Sequence, residues 1–172
     1  MNILDDHDSW NENFQKGWLA RFRETGQFYW DAYVRPKNKT TITGPAIELK
    51  STRLMLVSSA GGYLRGEQKP FDAANPLGDY SLRVIAADTP FAYIAYAHEH
   101  YDHAAVDSDP QVLLPLGHLR QMAAQGELGG LTAVASFMGY QPDVSRLLNE
   151  TVPAILELAR AEKAQGALLV PA

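Results

Sequence analysis

The stretch Arg53-Leu54-Met55-Leu56-Val57-Ser58-Ser59-Ala60-Gly61-Gly62 decides the fold. Leu54 to Val57 run without a polar interruption, and small residues stop the run at once. A half-exposed strand would alternate, and a helix would show a stripe, so the pattern reads as a short strand buried on both faces. Such strands belong to parallel sheets covered by helices, and this one ends in a tight loop.

Working outward, Gly166-Ala167-Leu168-Leu169-Val170-Pro171-Ala172 has the same character and also reads as a buried strand. Leu131 to Ala135 is a further strand, Ser81 to Ile85 alternates like one, and Phe91 to Tyr96 is another. Leu113 to Gln125 reads as a helix with Leu116, Leu119, Met122 and Ala123 on one face and Gly126 as its stop. Pro142 opens a second helical stretch, which Pro153 must kink or restart. Residues 63–79, with Gly66, Pro70, Pro76 and Gly78, form a long loop excursion. Strands interleaved with helices predict an α/β layer fold with a mostly parallel sheet and flanking helices. Ligands of such sheets gather beyond the carboxyl ends of the strands. Unusual residues mark three of those ends: Ser58–Gly62, His98–His103 and the last strand.

Upstream, Trp10, Phe14, Trp18 and Phe22 recur every four residues as one aromatic stripe. Ser9 followed by Glu12 forms a capping box, and Gly26 is a natural stop. The segment reads as an exposed helix whose stripe docks onto the body of the protein or a partner subunit. A polar connector with Arg35 to Thr40 and Gly44-Pro45 follows. The expected organisation is an arm and connector over 1–50 and an α/β domain over 51–172.

Composition narrows the function classes. The 172 residues carry 15 Lys and Arg against 20 Asp and Glu, a net charge of -5, which argues against a reader of phosphate backbones. No apolar run approaches the ~20 residues of a membrane span. The N-terminus lacks a basic and an apolar leader segment, so a cytoplasmic location is expected. There is no cysteine, which removes disulfides, thiolate nucleophiles and cysteine-ligated metals from this chain.

Chemistry concentrates in His98-Glu99-His100-Tyr101-Asp102-His103, which holds three of the five histidines. Were the strand from Phe91 to continue through it, His98 and His100 would share one face. His98, His100 and His103 with a nearby carboxylate then offer a site for zinc, iron or manganese. The spacing resembles the metal motif of the metallo-β-lactamase fold. That resemblance stops there, because only His118 follows and it sits in a predicted helix. Asp107 and Asp109 read either as a turn before Pro110 or as a carboxylate pair facing the same pocket. Ser58, Ser59, Gly61 and Gly62 would bring backbone N–H groups to an anionic ligand, without the Gly-Lys-Ser/Thr ending of a P-loop.

Taken in order, Val57-Ser58-Ser59-Ala60-Gly61-Gly62, Gln68-Lys69-Pro70-Phe71-Asp72, Tyr80 to Ile85, His98 to Asp102, Asp107 to Leu119, Gly126-Glu127-Leu128-Gly129 and Ser136 to Tyr140 resemble a known family. It is that of glycine/sarcosine/betaine reductase component B (selenoprotein B) and its D-proline reductase relatives, over about residues 51–172. The resemblance implies reductive C–N cleavage of a small amino acid or amine. It also implies a selenocysteine or cysteine nucleophile in a loop after a strand like Gly166–Ala172. This chain holds no such residue, so a continuation or a partner chain would supply it. The family pattern further points to His98, Tyr101 and Asp102 as site residues, with His98 as acid/base held by Asp102. The expected partners are another protein subunit or a second copy, and a small-molecule substrate. Two other readings stand beside this one. The first is an independent metalloenzyme using the histidine cluster. The second is an interaction subunit without catalysis.

Overall fold

The computed structural model describes residues 3–39, 44 and 46–172. Thr40 and Pro45 of the expected connector lie outside the described residues.

Strand β1 (Arg53–Ser58) sits inside a mixed sheet. One side pairs in parallel with β5 (Gly130–Leu131) and then β6 (Val134–Ser136). Leu54 stands level with Leu131 but Val57 with Ala135, so the partner fits one extra residue between its two pieces. This splits the strand expected over Leu131 to Ala135. The other side of β1 pairs in parallel with β7 (Gly166–Val170) over five rungs, from Leu54↔Gly166 to Ser58↔Val170. Strand β3 (Arg83–Ile85) closes the far edge antiparallel to β6. A separate antiparallel ribbon joins β2 (Gly62–Leu64) to β4 (Ile94–Tyr96). The sheet is therefore mixed, with its parallel pairs around β1.

Alternation along β1 feeds two cores. Leu54 and Leu56 pack with Ile85, Val134, Leu114 and the Leu116 and Leu119 face of α4 (Leu116–Ala124). Met55 and Val57 point the other way, with Ala135, onto Ile155, Leu158 and Ala159 of α6 (Val152–Ala161). Both faces are covered, which is why the run is apolar without a break. Pro153 is absorbed by a wide helical turn, Leu147–Thr151, that follows α5 (Val144–Arg146). The turn places the proline at the start of α6, where its missing N–H costs little.

The N-terminal helix begins two residues before Ser9. Asp6 caps α1 (His7–Asn13) by accepting from the Ser9 N–H at 3.4 Å, while Glu12 pairs instead with Lys16 at 2.6 Å. A wide turn, Phe14–Leu19, leads into α2 (Ala20–Thr25), and Gly26 ends it at φ 67°. A four-residue repeat overruns a 3.6-residue turn by about 40° at each step. The wide turn takes up that excess and keeps the stripe on one face.

The stripe is not exposed. Trp10, Phe14 and Trp18 are buried with Leu4, Leu19 and Val144, and Trp10 Nε1 donates to the Val34 carbonyl at 2.8 Å. The helix docks on its own chain. The last strand departs from expectation in the opposite sense: Leu168 is 37% and Leu169 70% exposed. Among the described residues no helix is long and apolar enough to cross a membrane.

Candidate functional site

The loop after β1 lies between two clefts. Ser59 lines one, an apolar cleft of about 610 Å³ with Phe137, Ile155 and Leu169 in its wall. Gly61 packs against the second, a cleft of about 660 Å³ lined by Phe71, Asp72, Tyr96, His98, Glu99 and His103 among others. Gly61 has φ 70°, and a Cβ there would stand 2.6 Å from the Ala97 carbonyl oxygen. Only glycine lets the two loops touch at this point.

The histidine segment is a bent loop, because β4 stops at Tyr96. His98 and His100 consequently share no strand face, contrary to the sequence expectation. His98 is buried, and its Nδ1 accepts from the His100 backbone N–H at 3.1 Å. Nδ1 is thus the bare nitrogen, and the proton of the neutral ring sits on Nε2. Nε2 has no hydrogen-bond partner among the described residues, and His98 lines the cleft. Burial, reinforced by His100 and His103, pushes the imidazole down to about 4. His98 is a neutral N–H donor at pH 7 rather than a base poised near neutrality.

The neighbours hold this loop in place. His103 Nε2 donates to the His98 carbonyl at 2.6 Å. Tyr101 stacks on His103 with ring centres 4.6 Å apart and donates its hydroxyl to the Ala60 carbonyl at 3.0 Å. Burial, with a smaller effect of Asp107, raises that phenol to about 12, so it remains a donor. His100 turns outward and stacks on Tyr140 at 3.9 Å. Asp102 does not hold His98; its carboxylate accepts from the Ala104 N–H at 2.9 Å, at the start of α3 (Ala104–Ser108).

Among the described residues no group of three His, Asp or Glu side chains is placed to hold a metal ion. His98 is committed to the His100 amide, His103 to a carbonyl and His100 to a tyrosine face, so the three rings do not converge. Asp109 caps Gln111 at 2.9 Å, Asp107 is exposed on α3, and neither lines the histidine cleft. Ser58 is buried and donates to the Leu113 carbonyl at 2.9 Å. Ser59 Oγ accepts from the Ala172 N–H at 2.8 Å, and Gly62 is buried against Ser136. The backbone N–H groups of Ser59, Ala60 and Gly61 are already taken, by the Val170 carbonyl, Ser58 Oγ and the Phe137 carbonyl. Phe71 and Asp72 of the cleft went unassigned from the sequence, although they fall within a motif quoted above. Tyr96 carried no signal of its own, and Tyr140 only as the last residue of the quoted Ser136 to Tyr140 stretch.

The chain is thus a mixed α/β protein with a histidine-lined cleft beside the loop after its inner strand. Residues 21–141 match the family model of glycine/sarcosine/betaine reductase selenoprotein B, and the chain belongs to that family. It is also 31% identical over 120 residues to a protein named D-proline reductase subunit gamma, from Acetoanaerobium sticklandii. That alignment takes in 69% of this chain and 47% of the relative, so the chain spans about half the relative's length. No solved structure matches.

Proposed function

We propose that the chain is one part of a cytoplasmic reductase that cleaves a C–N bond in a small amino acid or amine. The observation that carries the reading is His98, a neutral N–H donor that lines a cleft together with two carboxylates. Asp72 and Glu99 line that cleft and no lysine or arginine does, so its field favours an ammonium group over a bare anion. Tyr96 adds an aromatic wall suited to a small cationic body, while the Phe71 ring already carries the Arg83 guanidinium 4.3 Å from its centre. A substrate carboxylate or carbonyl oxygen would accept from His98 Nε2–H while its nitrogen faces the acidic rim.

The sequence has no cysteine, so the thiol or selenol of the family's chemistry comes from a continuation of the chain or from a partner chain. In this reading residues 51–172 form the binding domain, and 1–50 form an arm that braces it.

Calorimetric titration with glycine, sarcosine, betaine and D-proline tests the proposal, with acetate as the control. At least one amine ligand should bind, acetate should not, and His98→Phe should weaken binding about tenfold. Failure of all four ligands to bind, or equal affinity in the folded His98→Phe variant, would overturn it.

A further inference from the structure

We infer that Tyr140 is a positioning residue for the histidine cleft. Stacked on His100, it holds the His100 N–H on His98 Nδ1 and so keeps the donor proton of His98 on Nε2. The inference deepens the reading of His98 as the donor of the substrate cleft, and its consequence for binding rests on that reading.

The turn from His98 to His100 is the least supported part of its loop. Ala97, before it, donates to the Gly61 carbonyl at 3.0 Å, and Tyr101 and His103, after it, are tied to the Ala60 and His98 carbonyls. Glu99 and His100 in between are exposed. The His100 ring lies on the Tyr140 ring, nearly parallel at 7° with centres 3.9 Å apart. Fixing that ring fixes the Cα–Cβ bond of His100 and limits the rotation of its amide. Without the stack, water competes for this amide and for Nδ1, and the second tautomer of His98 becomes open to the ring.

Tyr140 can serve as a fixed support because segments distant in sequence grip it. Its hydroxyl donates to the Pro76 carbonyl at 3.0 Å, and Gly78, without a Cβ, leaves room for its own carbonyl. Trp30 meets the Tyr140 ring edge-on with centres 6.1 Å apart, and packs in turn on the buried Trp18 at 5.1 Å. The aromatic stripe, which the substrate reading leaves unused, thereby reaches the cleft through Trp30 and Tyr140.

Nitrogen NMR of the histidine rings at pH 7, with hydrogen exchange of the residue-100 amide, tests the inference on the full chain. In the wild type, His98 Nδ1 should read as bare and Nε2 as protonated. His100→Ala removes the stack while keeping the amide, and Tyr140→Ala removes it from the other side. Either should move both His98 signals toward the average of the two tautomers and speed exchange of that amide about tenfold. The two substitutions together should add nothing further, because they remove one contact. Tyr140→Phe keeps the ring and should keep the wild-type signals. Amides of β1 should exchange as before, which separates loss of this contact from loss of stability. Unchanged ring signals in folded His100→Ala, or equal losses in Tyr140→Phe and Tyr140→Ala, would overturn the inference. Glycine, sarcosine, betaine and D-proline titrated into the same variants report the consequence, binding about tenfold weaker than to the wild type. Undiminished binding where the ring signals have moved also overturns it. If none of the four binds the wild type, the substrate reading fails, and the ring signals still decide the role of Tyr140.

Discussion

The N-terminal helix and β7 are both written in apolar residues, and the structure treats them oppositely. Trp10, Phe14 and Trp18 are no more than 5% exposed, held against Val144 and the start of the α5–α6 stretch. Leu168 and Leu169 stand at 37% and 70%, on a strand whose outer edge pairs with no other strand among the described residues. An apolar pattern states that a face seeks cover, but not which surface supplies it. The helix finds cover on its own chain. The strand stays half uncovered.

The largest effect should come from Trp18→Ala. This buried ring lies between Phe14 and Phe22 with centres 5.6 and 6.1 Å away, and removing it should cost about 3–5 kcal/mol in urea unfolding. Equal losses from Trp18→Ala and Leu169→Ala would break the comparison.

Next, Gly61→Ala forces a Cβ into the Ala97 carbonyl at positive φ and should destabilise by about 2–3 kcal/mol. It should also displace the His98 loop, which loss of amine binding in calorimetry would report.

The third effect depends on pH. The folded pKa of His98 lies near 4, below the roughly 6.5 of an unfolded histidine. The unfolded chain then binds more protons, so stability falls as pH drops from about 6.5 towards 4. Chemical denaturation across that window should show a loss on the order of 2 kcal/mol, and His98→Gln should flatten it. An unchanged slope in the variant would assign the acid sensitivity to other groups.

The smallest effect is the counterpart of the first. Leu169→Ala should change the stability of the isolated chain by less than about 0.5 kcal/mol, because that side chain has little cover to lose.

Much of the architecture was legible from residue order. The unbroken run of Leu54 to Val57 requires cover on both faces, and the four-residue aromatic spacing requires a helix with one sticky side. Gly26 and Gly126, at φ 67° and 72°, end their helices where glycine alone is comfortable. The site was legible only in part. His98 stood out as one of three clustered histidines, yet its tautomer depends on the His100 amide folding back onto Nδ1. The expected metal trio failed for the same reason, since β4 ends at Tyr96 and the loop then bends.

The sequence by itself determined the main helices and strands, the two-faced inner strand and the absence of any thiol from these residues, because periodicity and composition are local properties. It missed the turn over Phe91–Tyr93, the strand Gly62–Leu64 and the helix Ala104–Ser108. Tertiary structure alone decided that the aromatic stripe folds back onto Val144, that His98 is a neutral donor, and that β7 is left open. Each of these depends on which surfaces meet across distances in sequence that no local pattern encodes.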